Sequence, residues 1–231
     1  MPNFKQYIFP VIIVIALVSS CKRLKEPKGM VEADYIKYQV EYLDDMAGDI
    51  PTKMLPDVLE AYYTDRYILT EINGFFGQFS LVMVADLRKN SVTTMLNFFG
   101  NKVSYRGKRG EIPAGIKELV DPDIIYTDDT TSICNMLSKK AVVKTEDASY
   151  DVYYVEDINI ESPNITTPYN FIDYVLSDFR VQLSVLKMHL VMYEHEDTTI
   201  DASIFSIPEE YVNVSSRESM EGIINSLFTK E

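Results

Sequence analysis

Tryptophan is missing from this chain altogether, and cysteine and histidine occur only twice each among its 231 residues. The two thiols are Cys21 and Cys134. If the first is consumed by lipid, as its surroundings suggest below, no intramolecular disulfide is available, and the second reads as a small buried apolar residue. His189 and His195 fall on one face of one candidate strand, six residues apart. At about 3.3 Å per residue that separates them by roughly 20 Å, too far to share a metal. No cysteine or third histidine stands at ligand spacing, so neither a zinc site of the usual composition nor any other metal or cofactor is expected. GxSxG, GxGxxG and GxxxxGKS/T are all absent, which removes the nucleophile elbow, the dinucleotide fingerprint and the phosphate loop.

Positive charge is the next shortage. Against 35 acidic residues stand 22 Lys and Arg, a net charge of −13. Such a balance repels phosphate backbones and no basic stripe interrupts it, so nucleic acid is excluded as a partner. The apolar run at 8–18 is eleven residues long with Pro10 inside it. A membrane-spanning helix needs about 20.

What that run does have is the flanking of an export signal: Lys5 before it, and Val18-Ser19-Ser20-Cys21 after it. The last four residues resemble the lipobox of bacterial lipoproteins. The resemblance implies cleavage before Cys21, a diacylglyceryl group on its thiol and an acyl chain on the new amino end. At about 0.8 kcal/mol per buried methylene, such an anchor holds to a bilayer almost irreversibly. The alternative is an ordinary signal peptide followed by an incidental cysteine. The chain thus divides into a signal (1–20), a tether (21–30) and one domain (31–231), exported and anchored, with the outer membrane facing the periplasm as the expected address. Lys22, Arg23, Lys25 and Lys28 put local positive charge beside the anchor, either as a solvated tether or against anionic head groups.

The domain leans toward β, with sixteen tyrosines and eleven phenylalanines suited to pleated, half-buried surfaces. Alternation over 35–43 places Ile36, Tyr38, Val40 and Tyr42 on one face of a strand. Further strands are expected at 59–65, 66–72, 91–98, 103–105, 124–127, 139–144 and 150–155. A three-stranded meander is expected at 179–185, 187–195 and 199–205. The run at 79–84 is apolar without alternation. Pro113 opens an expected short helix over 111–120, and 170–176 is expected to close a helical turn or two. Ser215 and Glu218 form a capping box for a last helix that buries Met220, Ile223, Ile224 and Leu227. The fold class is mainly β (α+β): a large antiparallel sheet of roughly ten strands, curved into an unclosed barrel, with two or three short helices including a C-terminal one.

Acidic clusters at Asp44-Asp45, Asp128-Asp129 and Glu194, Glu196, Asp197 sit at strand ends and read as solvated caps rather than catalytic or calcium-binding groups. The apolar signal is the stronger one. Tyr38, Val40, Tyr42, Met95, Phe98, Leu190 and Met192 are expected to line one concave side of the sheet, as ligand-binding residues or as plain core.

The lipobox, the Ile36-Lys37-Tyr38 strand, the 139–143 and 151–154 pair and the passage Phe205-Ser206-Ile207-Pro208-Glu209-Glu210-Tyr211 before a terminal helix resemble bacterial lipoproteins of the lipoprotein-carrier-like (LolA-like) half-barrel type. That resemblance implies an antiparallel half-barrel whose concave face holds acyl chains under short helices. No functional residue of those carriers is matched here, and an anchor at Cys21 argues against shuttling. Two classes stay open: a non-enzymatic lipoprotein binding a hydrophobic ligand, lipid or acylated partner in its concave face, and a non-catalytic envelope scaffold or interaction module with a self-filled core. A hydrolase would need two carboxylates converging in a pocket.

Overall fold

A computed structural model describes residues 27–228 except 147. The expected signal (1–20) and Cys21 therefore lie outside the described residues, as does most of the expected tether (21–30). Strand β1 (Met30–Tyr42) is followed by the short pair β2 (Met46–Ala47) and β3 (Ile50–Pro51). Then come β4 (Val58–Tyr63), β5 (Tyr67–Gly74), β6 (Phe79–Asp86), β7 (Ser91–Phe98) and β8 (Asn101–Arg106), a run of successive hairpins. After a crossing segment follow β9 (Asp123–Ile133), β10 (Met136–Lys144) and β11 (Ser149–Val155). A second irregular crossing leads to β12 (Val175–Leu183), β13 (Leu186–Asp201), β14 (Val212–Asn213) and the helix α1 (Arg217–Ser226).

Twelve strands make one sheet in the order β14-β8-β7-β6-β5-β4-β1-β13-β12-β11-β10-β9, antiparallel throughout except where β14 joins β8. It does not close: β14 and β9 are its edges. β1 sits in the middle because β13, from the far end of the chain, pairs with it from Met30↔Asp201 to Tyr42↔Met188. The sheet curls, and β9 returns beside β13 although three strands stand between them. On the inner side Ile36, Tyr38 and Val40 are buried as the period-two pattern requires, among side chains from nearly every strand.

Four details differ from the sequence-based expectation. Residues 111–120 form no helix. Gly115 takes φ +87°, and the backbone finds its partners on the β12–β13 hairpin instead: Lys117 N donates to the Gln182 carbonyl at 2.9 Å and Ser184 N to that of Gly115 at 2.8 Å. Residues 170–176 form turns running into β12 rather than a helical turn. The expected strand at 199–205 is the continuation of β13, whose sixteen residues run past Thr198 and Thr199 without turn chemistry before the 3-10 turn Ala202–Phe205. The cap of α1 is Ser216, one residue later than expected, accepting from Ser219 N, while Met220 and Ile224 are buried as their spacing implies.

Candidate functional site

The concave face is filled by the chain itself. Ile112, Ala114 and Ile116 from the segment after β8, Ile158, Tyr169 and Ile172 from the crossing before β12, and Met220, Ile224 and Phe228 at the C-terminus all join the inner core. Arg217 pins α1 to the first of these, donating to the carbonyls of Ile112 (2.7 Å) and Pro113 (3.2 Å). The crossing before β12 is held by Asn164, whose amide donates to the carbonyls of Ile172 and Tyr174. Among the described residues, two small apolar gaps lie within this packing, one of about 40 Å³ beside Tyr38, Phe179 and Leu190, and another of about 30 Å³ beside Tyr42, Phe98 and Phe228. Ligand sites run to roughly 300–1,000 Å³, so these are packing gaps of a few waters' volume.

Of the seven expected lining residues, six belong to this side. Tyr38, Val40, Leu190 and Met192 are buried in the inner core, Tyr42 and Phe98 pack against it, and the register couples Tyr38 to Met192 and Val40 to Leu190. Met95 is the exception. It lies on the convex face with Leu69, Val84, Ala202 and Phe205. Positions 95 and 98 are an odd number of residues apart on one strand, so pleating turns them to opposite sides. Tyr38 makes one of the buried polar contacts of the inner face, its hydroxyl donating to the Leu176 carbonyl at 3.0 Å and lying 3.4 Å from that of Tyr63. Burial pushes the Tyr38 phenol well above its usual range.

The histidines do not share a face. A bulge leaves Tyr193 unpaired between Met192, opposite Tyr38, and Glu194, opposite Lys37. One extra residue inverts the alternation beyond it. His189 consequently stays outside, its Nε2 2.7 Å from Asp178 Oδ1. His195 stands in register with the buried Ile36, its Nε2 2.9 Å from Asp34 Oδ1. One donor atom each from Asp34, His195 and Asp197 lies within 4.8 Å of the others, the one set among the described residues with metal-ligand spacing. Beside it opens a cleft of about 990 Å³ lined by Glu32, Asp34, Asp65, Glu161 and Asp197 with no Lys or Arg. The bulge is invisible in a period-two reading, which is why this grouping was not foreseen.

A second unforeseen feature sits at the opposite end of the sheet. The β5–β6 and β7–β8 turns both read Phe-Phe-Gly, at 75–77 and 98–100. In each, the second phenylalanine and the glycine take positive φ: 55° and 82° at Phe76-Gly77, 49° and 84° at Phe99-Gly100. Both rings project into solvent, Phe76 at 107% and Phe99 at 61% relative exposure. The turns are tied together by Phe99 N donating to the Gln78 carbonyl and by the Asn97 amide donating to that of Gly77. Leu43, Met46 and Met54, also exposed, belong to the loops after β1 at this same end. A left-handed bulky residue is an outlier that Asn or Gly would relieve. The repeated motif was the available signal.

No protein-family model and no curated protein matches the chain. Among solved structures it is similar to PNGF-II in two crystal forms: in the C2 form with a TM-score of 0.53 at 13% identity over 84% of this chain, and in the P21 form with 0.51 at 12% over 84%. The chain spans 32% and 33% of those proteins' length. At such identity the likeness is one of fold. Among the described residues no helix is long and apolar enough to cross a membrane.

Proposed function

We propose that the chain is a lipid-anchored envelope lipoprotein that works as a non-catalytic interaction module, presenting the paired Phe76 and Phe99 turns to a protein partner. The observation that carries this reading is that the apolar part of the concave face is filled, with gaps of about 40 Å³ and 30 Å³ among the described residues, while the larger cleft at one end is lined by acidic groups unsuited to an acyl chain. A bound acyl chain would have to displace the 107–122 segment or α1, and with it the buried Ile116, Met220 and Ile224. The two turns support the complementary half of the reading. They hold large apolar side chains in water at backbone positions that cost stability, and strain retained at a surface points to use there. The carrier and half-barrel resemblance agrees with the open antiparallel sheet, while the geometry favours the self-filled alternative over a lipid-holding hollow.

The test replaces both rings by Phe76→Asn and Phe99→Asn in the anchored protein, with a photocrosslinker at Met54 on the same rim. A crosslinked partner lost in the double variant, with no fluorescent fatty acid bound by either protein, is the expected result. Crosslinking unchanged by the double variant, or stoichiometric fatty-acid binding, would overturn the reading.

A further inference from the structure

Although the chain is strongly acidic, seven of its 22 cations gather at the end from which the tether leaves. The β4–β5 turn contributes Arg66, the β6–β7 turn Arg88 and Lys89, the loop leaving β8 Arg106, Lys108 and Arg109, and Lys28 precedes β1. Registry places them together: Tyr67 pairs with Asp86, Asp86 with Ser91 and Thr93 with Arg106, and Gly110 N donates to the Asn90 carbonyl at 2.7 Å. Arg66 and Lys89 share Asp86, at 3.6 and 2.6 Å. Arg88, Arg106, Lys108 and Arg109 are exposed and none of them has an ion pair among the described residues. Between these strands and the 205–209 segment lies a hollow of about 410 Å³, lined by Arg66, Lys89 and Arg106 against Asp86 and Glu209. Two polar atoms of its lining residues, Arg66 Nε and Ser206 Oγ, are buried without a hydrogen-bond partner. Pro27 lines the same hollow, six residues from Cys21.

We propose that this end docks on an anionic lipid surface, the head groups of the membrane in which the anchor sits; the inference rests on the anchor reading for its choice of membrane. Tethering holds the basic loops at high effective concentration over the head groups, and each cation near such a surface is attracted within a Debye length. The acidic cleft around Asp34 and Asp197, on the other side of β4, is repelled. The domain therefore tilts with its β5–β8 side down. Strands of eight residues then lift Phe76 and Phe99 by roughly 26 Å, away from the bilayer and toward a partner.

Vesicle flotation of the full chain carrying Cys21→Ser, which removes any acyl contribution, tests the docking face. The vesicles are phosphatidylcholine alone or with phosphatidylglycerol. We expect binding to the anionic vesicles to exceed binding to neutral ones, and the difference to vanish in high salt. R88E/R106E/K108E/R109E should lower the anionic partition roughly a thousandfold, while K53E/K117E/K144E/K187E, an equal charge change at the opposite end, leaves it near the parent value; thermal melts verify that both variants fold. Equal binding to both vesicle types, or equal losses in the two variants, overturns the proposal. The anchor is read separately, from the unsubstituted protein in cell membranes: release by high salt would sink the anchor while the vesicle result still stood or fell alone.

Discussion

At the scale of single residues, the inner face rests on a few polar contacts enclosed in apolar packing. Tyr38→Phe removes the donor to the Leu176 carbonyl in a site without solvent. We expect a loss of about 1 kcal/mol, the net worth of one buried hydrogen bond, read as a shift in denaturant midpoint with unchanged slope. Asp86 behaves differently. Burial raises its carboxyl, but the hydrogen bond and charge of Lys89, with Arg66 beyond, outweigh that and hold it below its ordinary 3.8. A depressed acid stabilises the fold above its unfolded value and loses that contribution as pH falls through the folded one. Asp86→Asn should therefore cost about 1 kcal/mol at pH 7, discounted for the exposure of its partners. The difference from the parent should shrink toward zero in melts below pH 3.8; a pH-independent gap would mean that packing, not charge, sets the effect. Residue identity was legible where alternation was unbroken, as at Ile36, Tyr38 and Val40, and failed at Met95, assigned to a face that its parity forbids.

Among the elements, the covering segment and the hairpin turns matter most. A Cβ added to Gly115 would lie 2.9 Å from Ile224 and 3.0 Å from Leu183, at a φ that disfavours any side chain. Gly115→Ala should cost about 1–3 kcal/mol, by strain and by loosening α1 from the segment, with hydrogen exchange rising first at Ile116 and Ile224. The Phe-Phe-Gly turns carry the opposite expectation. Phe99→Asn suits a left-handed position before glycine, so it should raise stability by about 1 kcal/mol while weakening partner association. A thermal melt and a crosslinking yield, measured on the same variant, separate these effects. The strands at 91–98, 139–144 and 150–155 could be read from the sequence because neighbouring hairpins carry local patterning and turn residues. The helix expected at 111–120 could not be corrected locally, because the groups that satisfy its backbone belong to the distant Gln182 and Ser184.

For the whole molecule, the sheet separates two ends: a basic edge and an acidic cleft where β1 begins, and exposed aromatic turns opposite. On the anchor reading, Cys21→Ser should move the protein from the membrane fraction into the soluble one; retention in carbonate-washed membranes would count against lipidation at that thiol. The sequence by itself determined the β class, the pleated burial of β1 and the amphipathic stripe of α1. These depend on side-chain period and on groups a few residues apart. Only the tertiary structure decided that β13 lies against β1, that a bulge at Tyr193 turns His195 inward, and that the crossing segments and α1 occupy the concave side. Each of these joins residues from tens to more than a hundred positions apart or depends on one unpaired residue in a ladder, and neither leaves a periodic trace in the chain.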